Sequence, residues 1–265
     1  MARADTVSAP TRLLGRGANA WRVSDTLADL SRGAGDDSVV AIAARPQRLL
    51  IDPRIAAVVV IDMQNDFCAA GGWVDATGGD HTAGRRAIEP IGRTLARARE
   101  LGMRVVWLNW GNRPDLLNVG ASTLHSFDPF GRGGGLGSAL ANGRGRVLTA
   151  GDWTAATIDE LRAAPGDIAI SKYRTSGFWG TELDQILRNV GVKTLFFTGV
   201  NTDQCVDLTL RDAYCLDYDC ILVADGTATT SPQFAYDATL WNVEHAWGFV
   251  TTSTDIDRAQ PGREA

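Results

Sequence analysis

The chain has 265 residues, 45% of them hydrophobic and 22% charged, enough to bury a full core as a single domain. Its 26 basic residues against 31 acidic ones leave a formal net charge of −5, which argues against a nucleic-acid-binding surface, and no apolar run approaches the roughly 20 residues of a bilayer span. The four cysteines form no CxxC pair and the three histidines no HxH or HExxH cluster, so neither a disulfide framework nor a His-rich metal site is expected. Met1 to Asp5 is not followed by the apolar stretch of a secretory signal, and the expectation is a soluble cytoplasmic protein with free thiols.

In chain order, residues 1–44 mix Arg, Gly, Ala, Ser and Asp with weak periodicity. They read as a partly flexible N-terminal arm or tail outside a domain that covers 45–265, although 20–30 has the makings of a short helix. From about Ile55 short β-branched runs alternate with longer amphipathic segments, the signature of a parallel α/β sheet. Strands are predicted over 57–61, 104–108, 167–171, 194–198 and 220–223, with a possible sixth over 248–252, and their near-continuous apolar character suits strands covered on both faces. Helices are predicted over 83–101, 154–163, 181–189, 206–217 and 232–246, with Gly102 and Gly191 placed as left-handed caps behind two of them. Residues 109–150, rich in Gly, Pro, Asn and Arg, read as a long loop serving as a lid or subunit contact. The expected fold is a doubly wound, mainly parallel sheet of about six strands with helices on both faces.

Three predicted strands end in a residue suited to acid, base or nucleophilic work: Asp62 after VVVI, Lys172 after AIS, and Cys205 just past FFTGVNTDQ. Open parallel sheets bind ligands in the crevice outside the carboxyl ends of their strands, so these residues can converge on one pocket. A thiol opening the helix predicted over 206–217 would sit at the positive end of the helix dipole, and a nearby lysine would lower its pKa further. Asp62 could take the thiol proton and return it to a leaving amine, while backbone N–H groups of Asn201 and Cys205 hold an oxyanion. Taken singly, each residue also has an ordinary reading: a buried small apolar Cys, a capping Asp, a solvated Lys. Cys215 and Cys220 keep that ordinary reading.

The segments IDMQNDFC with GGWVD, and SKYRTSGFWGTELDQILRNVGVKTLFFTGVNTDQCVDLTLRDAY, resemble the isochorismatase-like cysteine hydrolases over about residues 45–255. The resemblance implies catalytic Asp62, Lys172 and Cys205, and a non-proline cis peptide between Val200 and Asn201 that turns the Asn201 N–H toward the oxyanion. Within the family, ARPQRLLIDP, PGDIAISKYRTSGFWGTELDQILR and WNVEHAWGFV are similar to ureidoacrylate amidohydrolases, and NRPDL to biuret hydrolases. The metal-binding Asp and His of the nicotinamidase branch have no counterpart, so neither a metal nor another cofactor is expected. The presence of Cys205 argues for amide rather than vinyl-ether chemistry. Asn201 and Gln204 depart from the relatives' usual residues. Gln64, Phe67, Asn109, Trp110, Tyr173, Phe178 and His245 are the candidate substrate contacts. The expected partner is a small amide or ureide, with a larger amide or lactam such as an amide-containing antibiotic as the alternative and a catalytically silent binding protein as the alternative of another class. The resemblance also implies a homodimer or homotetramer.

Overall fold

The computed structural model describes residues 12–262. Its centre is a six-stranded sheet built from β6 (Ala56–Ile61), β7 (Arg104–Trp110), β8 (Ile168–Lys172), β9 (Thr194–Val200), β10 (Asp219–Ala228) and β11 (Phe249–Thr251). The order is β11-β10-β9-β6-β7-β8, and every neighbouring pair is parallel. Every residue of β6 and β9 is buried, because an all-parallel sheet is covered on both faces and its central strands must be apolar throughout.

The covering helices come from the intervening segments. The predicted 83–101 helix divides at Arg86 and Ala87 into α3 (His81–Arg85) and α4 (Ile88–Glu100), after the short α1 (Asn65–Cys68) and α2 (Trp73–Ala76). Ile91, Thr94, Leu95 and Ala98 recur at the spacing of one helical face, and that face is the buried one. Gly102 and Gly191 take φ of 77° and 76°, the left-handed conformation that ends their helices. Later come α5 (Ala121–Phe127), α6 (Leu183–Asn189), α7 (Asp207–Cys215), α8 (Gln233–Asn242) and α9 (Ser253–Asp257).

The helix predicted over 154–163 does not form beyond a single 3-10 turn at Trp153–Ala155. The chain there pairs instead with the loop after β6, where Asn65 N–H donates to Ala156 O and Ile158 N–H to Met63 O, and tertiary pairing overrides a favourable helical composition.

The segment read as an arm is corrected over residues 12–44. β1 (Arg12–Leu14), β2 (Trp21–Val23), β3 (Leu27–Asp29), β4 (Val40–Ile42), β5 (Arg48–Ile51) and the late β12 (Gln260–Pro261) form a second sheet of order β1-β2-β3-β5-β4-β12. Leu30, Val40 and Ile42 are buried in the same core cluster as the central sheet. Residues 1–11 of the expected arm lie outside the described residues. Arg32 binds Asp219, at the start of β10, through two nitrogens at 2.7 and 2.8 Å, and Trp21 Nε1 donates to the same carboxylate at 3.0 Å. Arg45 and Val250 exchange two backbone hydrogen bonds. The second sheet is thus fastened to the central one at the start of β10 and along the edge strand β11.

No helix among the described residues is long and apolar enough to cross a membrane.

Candidate active site

Parallel strands in register deliver their carboxyl ends to one rim. Ile61 pairs with Leu108 and with Gly199, and Trp110 pairs with Lys172, so Asp62, Lys172 and the turn after β9 emerge side by side. Gly199 permits the close approach, because a Cβ there would lie 2.0 Å from the Ile61 carbonyl oxygen. Asp62 takes a left-handed φ of 51°, a conformation that aspartate tolerates better than most residues.

Lys172 Nζ lies 2.7 Å from Asp62 Oδ2, and both side chains are buried. The ammonium also sits 4.2 Å from the centre of the Trp110 ring and donates to Arg174 O. Lys172, Cys205 and the Trp110 backbone all draw the Asp62 carboxyl toward its charged form, against the cost of burial. Cys205 completes the group. It lies within one π-helical turn, Thr202–Val206, that runs directly into α7, and its carbonyl accepts from the Thr209 hydroxyl at 2.6 Å.

The electrostatics differ from the sequence expectation. Burial pushes the Cys205 thiol up to about 12, with Lys172 pulling it down and Asp62 raising it again. Burial thus opposes the lowering expected from the neighbouring lysine. Burial raises Asp62 as well, against the opposing pull of Lys172.

Cys205 opens onto a cavity of about 680 Å³. Its apolar wall is Phe67, Trp73, Val74, Trp110 and Phe127, and its polar wall includes Thr175, Asn201, Asp203, Gln204, Asp207, Arg211 and Thr230. The Val200–Asn201 peptide is cis. Phe127 comes from α5, inside the 109–150 segment, and stacks near Trp73 and Trp110 at ring-centroid distances of 4.9 and 5.2 Å. Asp66 pins this segment from below, accepting from Trp73 N–H at 2.9 Å and Leu148 N–H at 2.7 Å, while burial lifts its carboxyl to about 6.

Of the candidate substrate contacts, Phe67 and Trp110 line the cavity and five do not. Gln64 is fully buried and spends its amide on backbone, donating to Trp110 O and Ala155 O and accepting from Trp110 N–H. Asn109 donates to the Thr157 hydroxyl. Tyr173 packs its hydroxyl against Gly180, and Phe178 rests 5.8 Å from the Tyr218 ring. His245 stacks on Trp241 and lines a separate cavity of about 570 Å³ with Trp21 and Asp219, at the opposite ends of the strands. Cys68 and Cys220 are buried and Cys215 is exposed; none lines the cavity beside Cys205. Sequence reasoning missed Trp73, Phe127, Asp203, Asp207 and Arg211. Asp203 and Asp207 stand within two positions of Cys205, a signal that was available, whereas Phe127 reaches the wall only through the folding of a long loop.

A parallel α/β sheet that joins a carboxylate, an ammonium and a thiol at one rim, facing a cavity, defines a cysteine-hydrolase class of protein. The isochorismatase domain family matches residues 56–255, and the chain belongs to that family of hydrolases. It is 36% identical over 220 residues to a ureidoacrylate amidohydrolase, RutB, of Cronobacter sakazakii, covering 81% of this chain and 92% of the relative. Among solved structures it resembles a cysteine hydrolase from Pseudomonas syringae pv. phaseolicola, with 25% identity and a TM-score of 0.66 over 78% of this chain and 93% of that one. It also resembles N-carbamoylsarcosine amidase from Thermoplasma acidophilum, with 27% identity and a TM-score of 0.56 over 75% and 96%.

Proposed function

We propose that this protein is an amidohydrolase that cleaves a non-peptide C–N bond of a small ureide or amide through a covalent intermediate on Cys205. The observation that carries the reading is the buried Asp62–Lys172 pair at 2.7 Å, beside a thiol that opens onto a cavity. The relatives' names, ureidoacrylate amidohydrolase and N-carbamoylsarcosine amidase, support a ureido or carbamoyl reacting group of the kind also found in biuret.

In this mechanism Asp62 accepts the thiol proton as Cys205 Sγ bonds to the carbonyl carbon, so the negative charge leaves the carboxylate and appears on the carbonyl oxygen. The N–H groups of Asn201 and Cys205 receive the oxyanion. The tetrahedral species collapses with breakage of the C–N bond, and the departing nitrogen takes the proton from Asp62. Water then attacks the thioester or thiocarbamate, giving its proton to Asp62, and the sulfur leaves to be reprotonated. Burial favours the protonated thiol, so in this mechanism proton transfer accompanies attack.

A second reading, a larger amide or lactam, is favoured by cavity size. A volume of about 680 Å³ falls within the roughly 300–1,000 Å³ typical of drug-sized ligands and exceeds what biuret fills.

The test is Cys205→Ala, which should abolish ammonia release from ureides and carboxamides while circular dichroism and the unfolding midpoint stay at wild-type values. A mass increase on wild-type Cys205 after substrate quench should identify the acyl portion. An active Cys205→Ala protein would end the proposal.

A further inference from the structure

The polar wall of the cavity carries two carboxylates, Asp203 and Asp207, against one guanidinium, Arg211. Arg211 is already committed: it pairs with Asp207 at 2.6 Å and lies 3.9 Å from the centre of the Trp247 ring. Asp203 accepts the Thr229 hydroxyl at 2.6 Å, and no Lys or Arg lies within ion-pairing distance of it among the described residues. Its charge also reaches Asp207, whose carboxyl is raised chiefly by burial and further by Asp203. Facing these acids are the aromatic rings of Phe67, Trp73, Trp110 and Phe127. Ring faces attract cations, and Trp110 already holds the Lys172 ammonium in this way on its inner side.

A carboxylate entering such a cavity meets one like charge without an ion pair and a guanidinium whose charge Asp207 already offsets. An ammonium or guanidinium meets aromatic faces and an uncompensated carboxylate. From this asymmetry we propose that Asp203 is a specificity-determining residue and that the non-reacting end of the substrate carries a positive charge, making the substrate class a cationic ureide or amide. The inference rests on the hydrolase reading and narrows it. It separates this chain from relatives named for ureidoacrylate, whose acrylate end is anionic.

The experiment uses three ureas with the same reacting group and different tails: ureidopropanoate, propylurea and aminoethylurea. Binding is read by calorimetry on the Cys205→Ala protein, so the result does not depend on turnover. Aminoethylurea should bind at least tenfold tighter than ureidopropanoate, and Asp203→Asn in that background should cut the ratio to about twofold or less, a change of roughly 1 kcal/mol. Raising ionic strength on the Asp203-containing protein should shrink the same ratio, which provides a readout if the Asp203→Asn protein folds poorly. Equal or tighter binding of ureidopropanoate, or a ratio that neither the substitution nor salt alters, would overturn the assignment. The two readings fail separately. Equal kcat/KM for all three ureas in the wild-type protein would defeat the charge preference alone, whereas a binding preference without ammonia release would defeat the hydrolase reading.

Discussion

Lys172 shows how a single charge organises the site. Both it and Asp62 are buried and lie 2.7 Å apart, so each offsets part of the cost of taking the other's charge out of water. Lys172→Ala should lower stability by about 3–5 kcal/mol, since it strands a buried carboxylate, and Asp62→Asn combined with Lys172→Met should recover much of that loss. Urea unfolding of the single and double variants measures both; a single variant as stable as wild type would contradict the pairing. The pH profile gives a second prediction at this scale. Asp62 must be ionised to accept the thiol proton, and burial raises its pKa, so kcat/KM should fall on acidification through a limb lying above the ordinary aspartate value of 3.8. An acid limb at or below 3.8 would show that another group controls it. These residues were legible in the sequence because each ends an apolar run, and β-strand order converts that position into a shared rim. Their proton affinities were not legible, because burial is set by the walls around Cys205, and those walls come from segments as distant as Phe67 and Phe127.

Between residue and fold stand the short connections that hold the rim in shape. Gln64 is the clearest case, since its side chain takes the place of a missing strand by satisfying Trp110 N–H, Trp110 O and Ala155 O together. Gln64→Leu should leave the two buried Trp110 backbone groups unpaired at about 1–3 kcal/mol each, and by releasing Trp110 it should lower kcat more than it raises KM. Thermal unfolding together with steady-state kinetics tests this; unchanged stability would mean that the loop finds other partners. Sequence reading placed Gln64 among the substrate contacts, and nothing in composition tells a side chain facing a ligand from one facing a backbone. The 154–163 segment was misread for a related reason. Its Ala, Thr, Glu and Leu favour a helix, yet Asn65 and Ile158 draw it into extended pairing. By contrast α4 was readable, because its buried positions repeat at helical spacing.

At the scale of the molecule, two sheets share one core. The central sheet could be anticipated from six apolar runs, whereas the N-terminal sheet could not, because β1 to β4 are three residues each and are separated by Gly, Ser and Asp turns that mimic an unstructured arm. Deleting residues 1–44 would remove four of its strands and expose apolar surface around Ile51 and Val250, besides stripping Asp219 of Arg32 and Trp21. The truncated chain should therefore be largely insoluble or melt far below the full chain, as sedimentation and differential scanning calorimetry would show. A truncation that melts with the intact protein would restore the reading as an arm.

The clasp between Arg32 and Asp219 lies at the starts of the central strands, and the reactive sulfur lies beyond their finishes. Leu14 and Gly15 line the cavity beside Asp219, so the first described strand lies on the far side from the mouth. A resin or electrode linker joined at exposed Leu13 would grip the molecule by its base and leave the entrance turned toward the bathing solution, a favourable orientation for an immobilised catalyst.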